Sequence, residues 1–417
     1  MATVRFIHSS DIHIGKDHFG TGFGVRDFDG AFARLAEAAI EASVAFIVVA
    51  GDFFDRQSPQ PEHVLWAEES LQRLRGAGIP VCIIEGNHDR YPYSDKTSWV
   101  EYLARKGLVR LLAMTGSEEV AEPWNEATGR GAFTDIAGVR VYGAGYYGLA
   151  TAHRMNRIAS HIDGDRYTVL LLHAAVESLS PEFGGVRIEA LDVLRGKVDY
   201  LALGHLHKEF TYEGWIHNAG SLTCARPKEY EYAPRGFHLV TVDVETRTHQ
   251  VERLEIGGRP GRRVIVDCSG LSGEKKLIEK VLEQVRAAAP PADALLEVSL
   301  SGRTPLETLA VDLEAIRTGC QAFVPDGYAT IENRLGAEVL TDPDGVRAYG
   351  TREQVEREEL REALRETGIP DEEAVPWVEL ALSLKAGALE GGDDSVLAGE
   401  ILGFIGQQEA GVADSQG

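Results

Sequence analysis

The stretch Val81-Cys82-Ile83-Ile84-Glu85-Gly86-Asn87-His88-Asp89 decides the fold. Its first four residues form a short apolar run bounded by turn residues, which predicts a strand covered on both faces. Gly86 lets the backbone turn at the strand's end, and Asn87, His88 and Asp89 then stand at its tip. In open α/β sheets, ligands bind in the crevice beyond the carboxyl ends of the strands. Four other apolar runs end the same way. Val4-Arg5-Phe6-Ile7 leads to Asp11-Ile12-His13, and Phe46-Ile47-Val48-Val49-Ala50 leads to Gly51-Asp52-Phe53-Phe54-Asp55. Thr168-Val169-Leu170-Leu171-Leu172 ends at His173, and Tyr200-Leu201-Ala202-Leu203 ends at Gly204-His205-Leu206-His207. Only folding can bring five such distant tips together, and their side chains are oxygen and nitrogen donors. The pattern is that of a metal site.

Around these runs the chain reads as a two-sheet α/β sandwich with flanking helices over residues 1–256. Helical spacing covers 27–43, 62–75 and 98–106, while 140–145 opens a second sheet and 214–221 and 236–244 continue in strand-like alternation. A Gly/Pro-rich linker at 257–261 closes this domain. A smaller α+β domain follows over 262–335, with strands at 264–268 and 295–300 and helices at 274–288 and 306–318. Residues 351–406 are acidic and helical with spaced apolar anchors, the grammar of a partner-docking segment, and 407–417 is expected to be a disordered tail.

At 417 residues the chain has length for about three folded units of roughly 150 residues each. Its 44% hydrophobic and 26% charged content is that of a globular protein. It starts without a basic leader and apolar segment, and no apolar run reaches membrane-spanning length, so the expected location is cytoplasmic. Cys82, Cys224, Cys268 and Cys320 form no C-x-x-C pair, which argues against a thiolate zinc site or a disulfide framework. They read as reduced core residues. The formal net charge of -23 predicts weak DNA affinity for the chain alone, because that affinity comes from Lys and Arg neutralising phosphates.

An Asp carboxylate can bridge two cations while imidazole and amide oxygen complete the shells, and a pair of ions can clamp both reacting oxygens of a phosphoryl displacement. Asp52 is the best bridging candidate. Asp11, His13 and His207 are assigned to one ion, and Asn87, His173 and His205 to the other. Mixed His, Asp and Asn donors suit manganese or iron better than magnesium. His88 is left to face the phosphate as proton donor or charge stabiliser. Each motif alone has a bland reading as a cap, a turn or a hydrogen-bonded histidine, and the conjunction of five at strand ends favours metal. His8 reads as a core residue and His18 as part of a solvated loop.

These motifs, D-x-H, G-D-x-x-D, G-N-H-D, a lone His and G-H-x-H, resemble those of the calcineurin-like metallophosphoesterases. Within that group the chain looks like the DNA-repair nuclease subunits of the SbcD and Mre-eleven type. The opening 6–15, Ser58-Pro59, the segment 202–208, Gly220-Ser221 with 236–240, and Arg259-Pro260 carry the narrower match. The resemblance implies a four-layer α-β-β-α sandwich with a DNA-binding capping domain. It implies two divalent ions, Mn2+ in the first place, and hydrolysis of DNA phosphodiesters in double-strand break repair, as a 3'-to-5' exonuclease on double strands and a single-strand endonuclease. It further implies a homodimer through helices such as 62–75 and 98–106, and pairing with an ABC-type coiled-coil ATPase (SbcC or Rad-fifty type), docked on the helices after Thr351. The chain itself has no G-x-x-x-x-G-K-[ST] loop, so ATP dependence would come from that partner. Archaeal and eukaryotic relatives carry His where this chain has Asp55. Asp55 and Asp89 are therefore placed behind the ligands, Asp55 orienting His88 or a ligand. Candidate DNA contacts are Lys16, Arg56, Arg90, Tyr91, Lys208, Arg226 and Lys228. A small-substrate phosphoesterase and a noncatalytic scaffold on the same fold are the rival readings.

Overall fold

A computed structural model describes residues 3–18, 24–90, 97–114, 121–177, 185–225, 227–232, 234–271, 273–302, 311–325 and 327–335, with short stretches at 360–361, 374–378 and 380–382. Strands β1 (Thr3–Ser9), β2 (Phe46–Val49), β3 (Val81–Ile83), β4 (Arg110–Leu112) and β5 (Arg130–Gly131) run parallel, with crossover helices α1 (Val25–Glu41), α2 (Pro61–Gly76) and α3 (Trp99–Arg105) between them. Phe28, Phe32, Leu35 and Ala39 recur at helical spacing and are buried on one stripe of α1. α2 begins on Pro61, whose missing N–H costs nothing in a first turn. α3 is capped by Ser98, whose hydroxyl accepts from the Glu101 N–H at 3.0 Å.

The second sheet holds β6 (Phe133–Ile136), β7 (Val139–Tyr146), β8 (Thr168–His173), β9 (Tyr200–Gly204), β10 (Phe210–Tyr212) and β11 (Ile216–Asn218), in the order β10-β11-β9-β8-β7-β6. Helix α4 (Thr151–His161) packs on its outer face through Met155, Ile158 and Ala159. The chain then returns to the first sheet, where β12 (Gly236–Asp243) lies antiparallel to β1 and β13 (Thr248–Glu255) forms the edge.

Alternation along the strands builds the layers. Phe6, Val48, Cys82, Val169, Leu171 and Ala202 fill the space between the sheets, while Ile47, Val49 and Ile83 meet α1, α2 and α3, and Leu170, Leu172 and Leu203 face outward to the α4 side. His173 has the parity of Val169 and Leu171, so the same alternation aims it between the sheets, where His8 also lies fully buried against the Tyr200 hydroxyl at 2.9 Å. The result is the four-layer α-β-β-α sandwich. Several elements lay below the resolution of sequence pattern, the short strands β4 and β5 and the strand Ala329–Asn333 among them. β13 has only Val251 and Leu254 among polar residues, β6 and β10 are four and three residues long, and α4 buries few apolar side chains.

Beyond the linker, β14 (Gly261–Asp267), α5 (Glu274–Ala288), β15 (Leu295–Ser301), α6 (Leu313–Cys320) and β16 (Ala329–Asn333) form a parallel three-stranded sheet with its own core of Val264, Val266, Val281, Val298 and Ile316. The helix expected at 306–318 begins instead at Leu313, because Asp312 caps it by accepting from the Ala315 N–H at 2.9 Å; residues 303–310 lie outside the described residues. All these elements belong to one unit, Met1–Gly336. Of the other, Ala337–Gly417, most lies outside the described residues, including nearly all of the expected docking segment 351–406 and the tail 407–417. Among the described residues no helix is long and apolar enough to cross a membrane.

Asp27, in the first turn of α1, ties the linker to the sandwich. It accepts from Arg259 Nε at 2.6 Å and Nη2 at 3.1 Å and from His18 Nε2 at 3.0 Å. His18 is accordingly buried rather than in a solvated loop, its ring tilted against Phe28. Partial burial opposes the Asp27 charge, but the bonds from His18 and Arg259 outweigh it and hold the carboxyl at about 2, below its ordinary 3.8. A depressed carboxylate stabilises the fold above its ordinary value and loses that contribution as pH falls through its folded value. Asp27→Asn is therefore expected to lower stability at neutral pH, with the gap from wild type closing between about pH 4 and pH 2, as urea unfolding across that range will report.

Candidate metal centre

The loops after β1 and β2 are zipped together by backbone bonds. Asp11 N–H donates to Gly51 O at 3.1 Å, Ile12 and His13 N–H both donate to Asp52 O at 2.9 and 3.1 Å, and Ile14 N–H donates to Phe53 O at 2.9 Å. This register forces unusual backbone. Asp11, His13 and Asp52 adopt φ of 51, 53 and 53°, and His205 adopts 93°. Left-handed conformations are uncommon outside glycine and concentrate at functional sites. The motif glycines are explained by proximity. A Cβ at Gly51, which also has φ of 89°, would run into the His173 ring, and one at Gly86 would run into Asp52 Oδ1.

Three groups of donors converge within metal-holding reach: Asp11, His13 and His207; His13, Asp52 and His88; and Asp52, His173 and His205. Asp52 belongs to two of them and is almost wholly buried. His173 Nε2 lies 3.3 Å from Asp52 Oδ2 and 3.1 Å from Asn87 Oδ1, and His205 Nδ1 lies 3.0 Å from the same Asn87 oxygen. On the other side, His13 Nε2 and His207 Nε2 face each other at 3.1 Å, and His207 Nε2 is 3.9 Å from Asp11 Oδ1. The sequence thus named the converging donors, and the structure brings all seven together.

The imidazoles are held from behind. His173 Nδ1–H donates to Ala50 O at 2.7 Å, His88 Nδ1–H donates to Asp55 O at 2.6 Å, and His207 Nδ1 pairs with Glu229 Oε1 at 2.8 Å. In each case the remaining nitrogen is left for the cavity, the arrangement that orients metal-binding histidines. His13 Nε2 against His207 Nε2, and His205 Nδ1 against His173 Nε2 at 3.3 Å, are pairs of nitrogens turned on each other among carboxylates. Such donor sets fit divalent cations.

Electrostatics agree. Burial works against the Asp52 charge, yet the neighbouring His173 holds that carboxyl far below the usual range. Burial alone would lower His173, but the Asp52 carboxylate pushes it up to about 9. His205 falls to about 4 through burial and the His173 charge. Asp89 accepts from the amides of Phe53, Phe54 and Gly86, all at 3.0 Å, and so fastens the third loop to the second. Burial and then the Asp52 charge push it up to about 7. Asp55 lies behind His13, with Oδ1 3.3 Å from Nδ1, and its backbone carbonyl behind His88.

The candidate DNA contacts that are described each have a partner at or near the site loops. Lys16 is a solvent-edge cation bound to Asp55 at 2.8 Å, Arg56 is exposed beside the same carboxylate, Arg90 lies over the Tyr146 ring and Lys208 over the Tyr232 ring. Tyr91, Arg226 and the Lys228 side chain lie outside what is described. Two neighbours of the site escaped the sequence reading. Tyr146, at the end of β7, packs its ring 5.8 Å from His173 and 5.7 Å from His205, and ending a strand of the same sheet was its only signal. Glu229 lies 22 positions beyond His207 with no local signal at all.

Residues 4–209 match the model of the calcineurin-like phosphoesterase family. Those residues form a calcineurin-like phosphoesterase domain, which makes the chain a hydrolase of phosphate esters with donor groups that could hold divalent metal ions. Among its relatives is the DNA double-strand break repair protein Mre11 of Sulfurisphaera tokodaii, 26% identical over 287 residues that cover 67% of this chain and 70% of that one. The Mre11 protein of Haloferax volcanii is 28% identical over 381 residues, 88% of this chain and 75% of its own. That of Archaeoglobus fulgidus is 36% identical, over 27% of this chain and 25% of its own.

Because metal ligation requires neutral imidazole, and, against burial, the Asp52 carboxylate keeps a proton on His173 to about 9 while Glu229 raises His207 as well, metal binding near neutral pH is expected to release about one proton or more. Calorimetric Mn2+ titrations in buffers of different ionisation heat measure it. The released fraction should vanish above the His173 value.

Proposed function

We propose that the chain is a manganese-dependent DNA nuclease of double-strand break repair, working as a homodimer with an ABC-type coiled-coil ATPase. The observation that carries this reading is Asp52 shared between two donor groups, with His88 held beside them from behind. The names of the relatives support DNA as substrate. In this reading the homodimer pairs through α2 and α3, where Leu65 and Tyr102 are exposed.

In this mechanism Asp11, His13 and His207 would hold one ion, Asn87, His173 and His205 would hold the other, and Asp52 would be shared by both. The ions, when bound, supply Lewis acidity toward the phosphodiester. His173, His207 and His13 keep their donor atoms inward because Ala50 O, Glu229 and Asp55 stand behind the opposite ring nitrogens. His88 donates Nδ1–H to Asp55 O, so Nε2 is the atom turned to the phosphate, as an imidazolium that donates its own Nε2 proton to the leaving oxygen or as a stabiliser of the developing charge. Where relatives place a histidine, Asp55 instead braces His13 and His88 and pairs with Lys16. Asp89 locks the loop that carries Asn87 and His88. The α+β domain and Arg56, Arg90 and Lys208 contact the DNA backbone.

The test is cleavage of an end-labelled DNA duplex and of a small chromogenic phosphodiester, each with manganese, magnesium or chelator. Manganese-dependent shortening of DNA is expected, and cleavage of the small ester alone would overturn the nuclease reading. His88→Ala should bind both ions while hydrolysis falls by about 100- to 10,000-fold; loss of the ions with the side chain would reassign His88 as a ligand. A chain truncated at Gly350 should lose ATPase binding, with cleavage of the small ester retained.

A further inference from the structure

His207 is the ligand with the most elaborate support, and that support comes from a part of the chain that carries no ligand. Glu229 sits in a short 3-10 turn, Pro227–Tyr232, and is buried. Its Oε1 pairs with His207 Nδ1 at 2.8 Å, while Oε2 accepts from Ala225 N–H at 2.8 Å and Arg235 Nη2 at 3.3 Å. Arg235, also buried, clamps the assembly from the far side. It donates to Glu229 O at 2.7 Å, to Ser221 Oγ at 3.3 Å, to Cys224 Sγ at 3.2 Å and to His207 O. The guanidinium thus holds both the backbone of His207 and the carboxylate that orients its ring. The residue after Glu229 faces another way. Tyr230 lies against Gly261, the first residue of β14, so closely that a Cβ at Gly261 would enter its ring, and the same turn packs on β14 and β15.

We propose that Glu229 is a positioning residue for the Asp11, His13 and His207 metal subsite, and that its turn makes this subsite alone responsive to the seating of the α+β domain. A buried carboxylate on the outer nitrogen fixes the tautomer that leaves Nε2 for a cation and raises the basicity of the ring. The Asn87, His173 and His205 subsite has a different backing, Ala50 O behind His173 at the end of β2. A shift of β14 therefore reaches one ion and leaves the other. The inference rests on the two-ion reading of the site, and not on the substrate being DNA.

The experiment is Mn2+ titration of the full chain by calorimetry and by electron paramagnetic resonance, with thermal melting of each variant as a fold control. Glu229→Gln, close in size and still able to accept one bond, should weaken one class of Mn2+ by about 10- to 100-fold and spare the other. Gly261→Ala, which touches no donor, should weaken the same class by a smaller factor. In a His207→Ala background neither substitution should have any further effect, as a double-mutant cycle requires of residues acting through that ring. Wild-type binding of both ions by either folded variant, or equal weakening of both classes, would overturn the proposal. Should Glu229→Gln not fold, Gly261→Ala in the two backgrounds decides alone. Two Mn2+ bound by a wild-type chain that does not cut DNA would overturn the nuclease reading and leave this inference intact.

Discussion

Asp52 carries a negative charge into a place from which water is almost excluded, and the architecture around it answers to that charge. A buried carboxylate is costly unless hydrogen bonds or opposite charges compensate it. Here the His88 N–H donates to its Oδ1 at 3.0 Å and His173 stands 3.3 Å from its Oδ2. Both donors belong to other loops. The stability of the carboxylate therefore depends on correct closure of strand ends that are far apart in sequence, and closure in turn depends on a charge worth compensating.

That closure consumes backbone freedom. Left-handed residues at Asp11, His13, Asp52 and His205 are intrinsically unfavourable, at roughly 1–3 kcal/mol each. They persist because the loops are cross-bonded, Asp11 N–H to Gly51 O on one side and His205 N–H to the Asp11 carboxylate at 3.0 Å on the other. Packed layers beneath, with Phe6 and Phe46 stacked at 4.9 Å between the sheets, provide the rigid platform. Strain of this kind points donor atoms inward before any cation arrives, which is what preorganisation of a metal site means physically.

Legibility in the sequence followed the strength of local pattern. The strands β1, β2, β3, β8 and β9 and the helices α1, α2, α3 and α5 were readable because their apolar spacing or uniform burial is dictated by residues within a turn or two. β13 was not, since an edge strand with polar side chains on both faces is set by pairing with β12 rather than by its own composition. His18 was misread for a related reason. Its burial follows from Asp27 and Phe28, and nothing at positions 17–19 announces them.

The sequence by itself determined which side chains are donors, and that they stand at strand ends, because residue type and the abrupt end of an apolar run are local properties. Tertiary structure alone decided what else stands behind those donors: Ala50 O behind His173, and Glu229 with Arg235 behind His207. Each of these is a contact between elements that meet only when two sheets stack and their loops interlock. The energy that selects such a contact belongs to the pair of elements and leaves no periodic trace in either one.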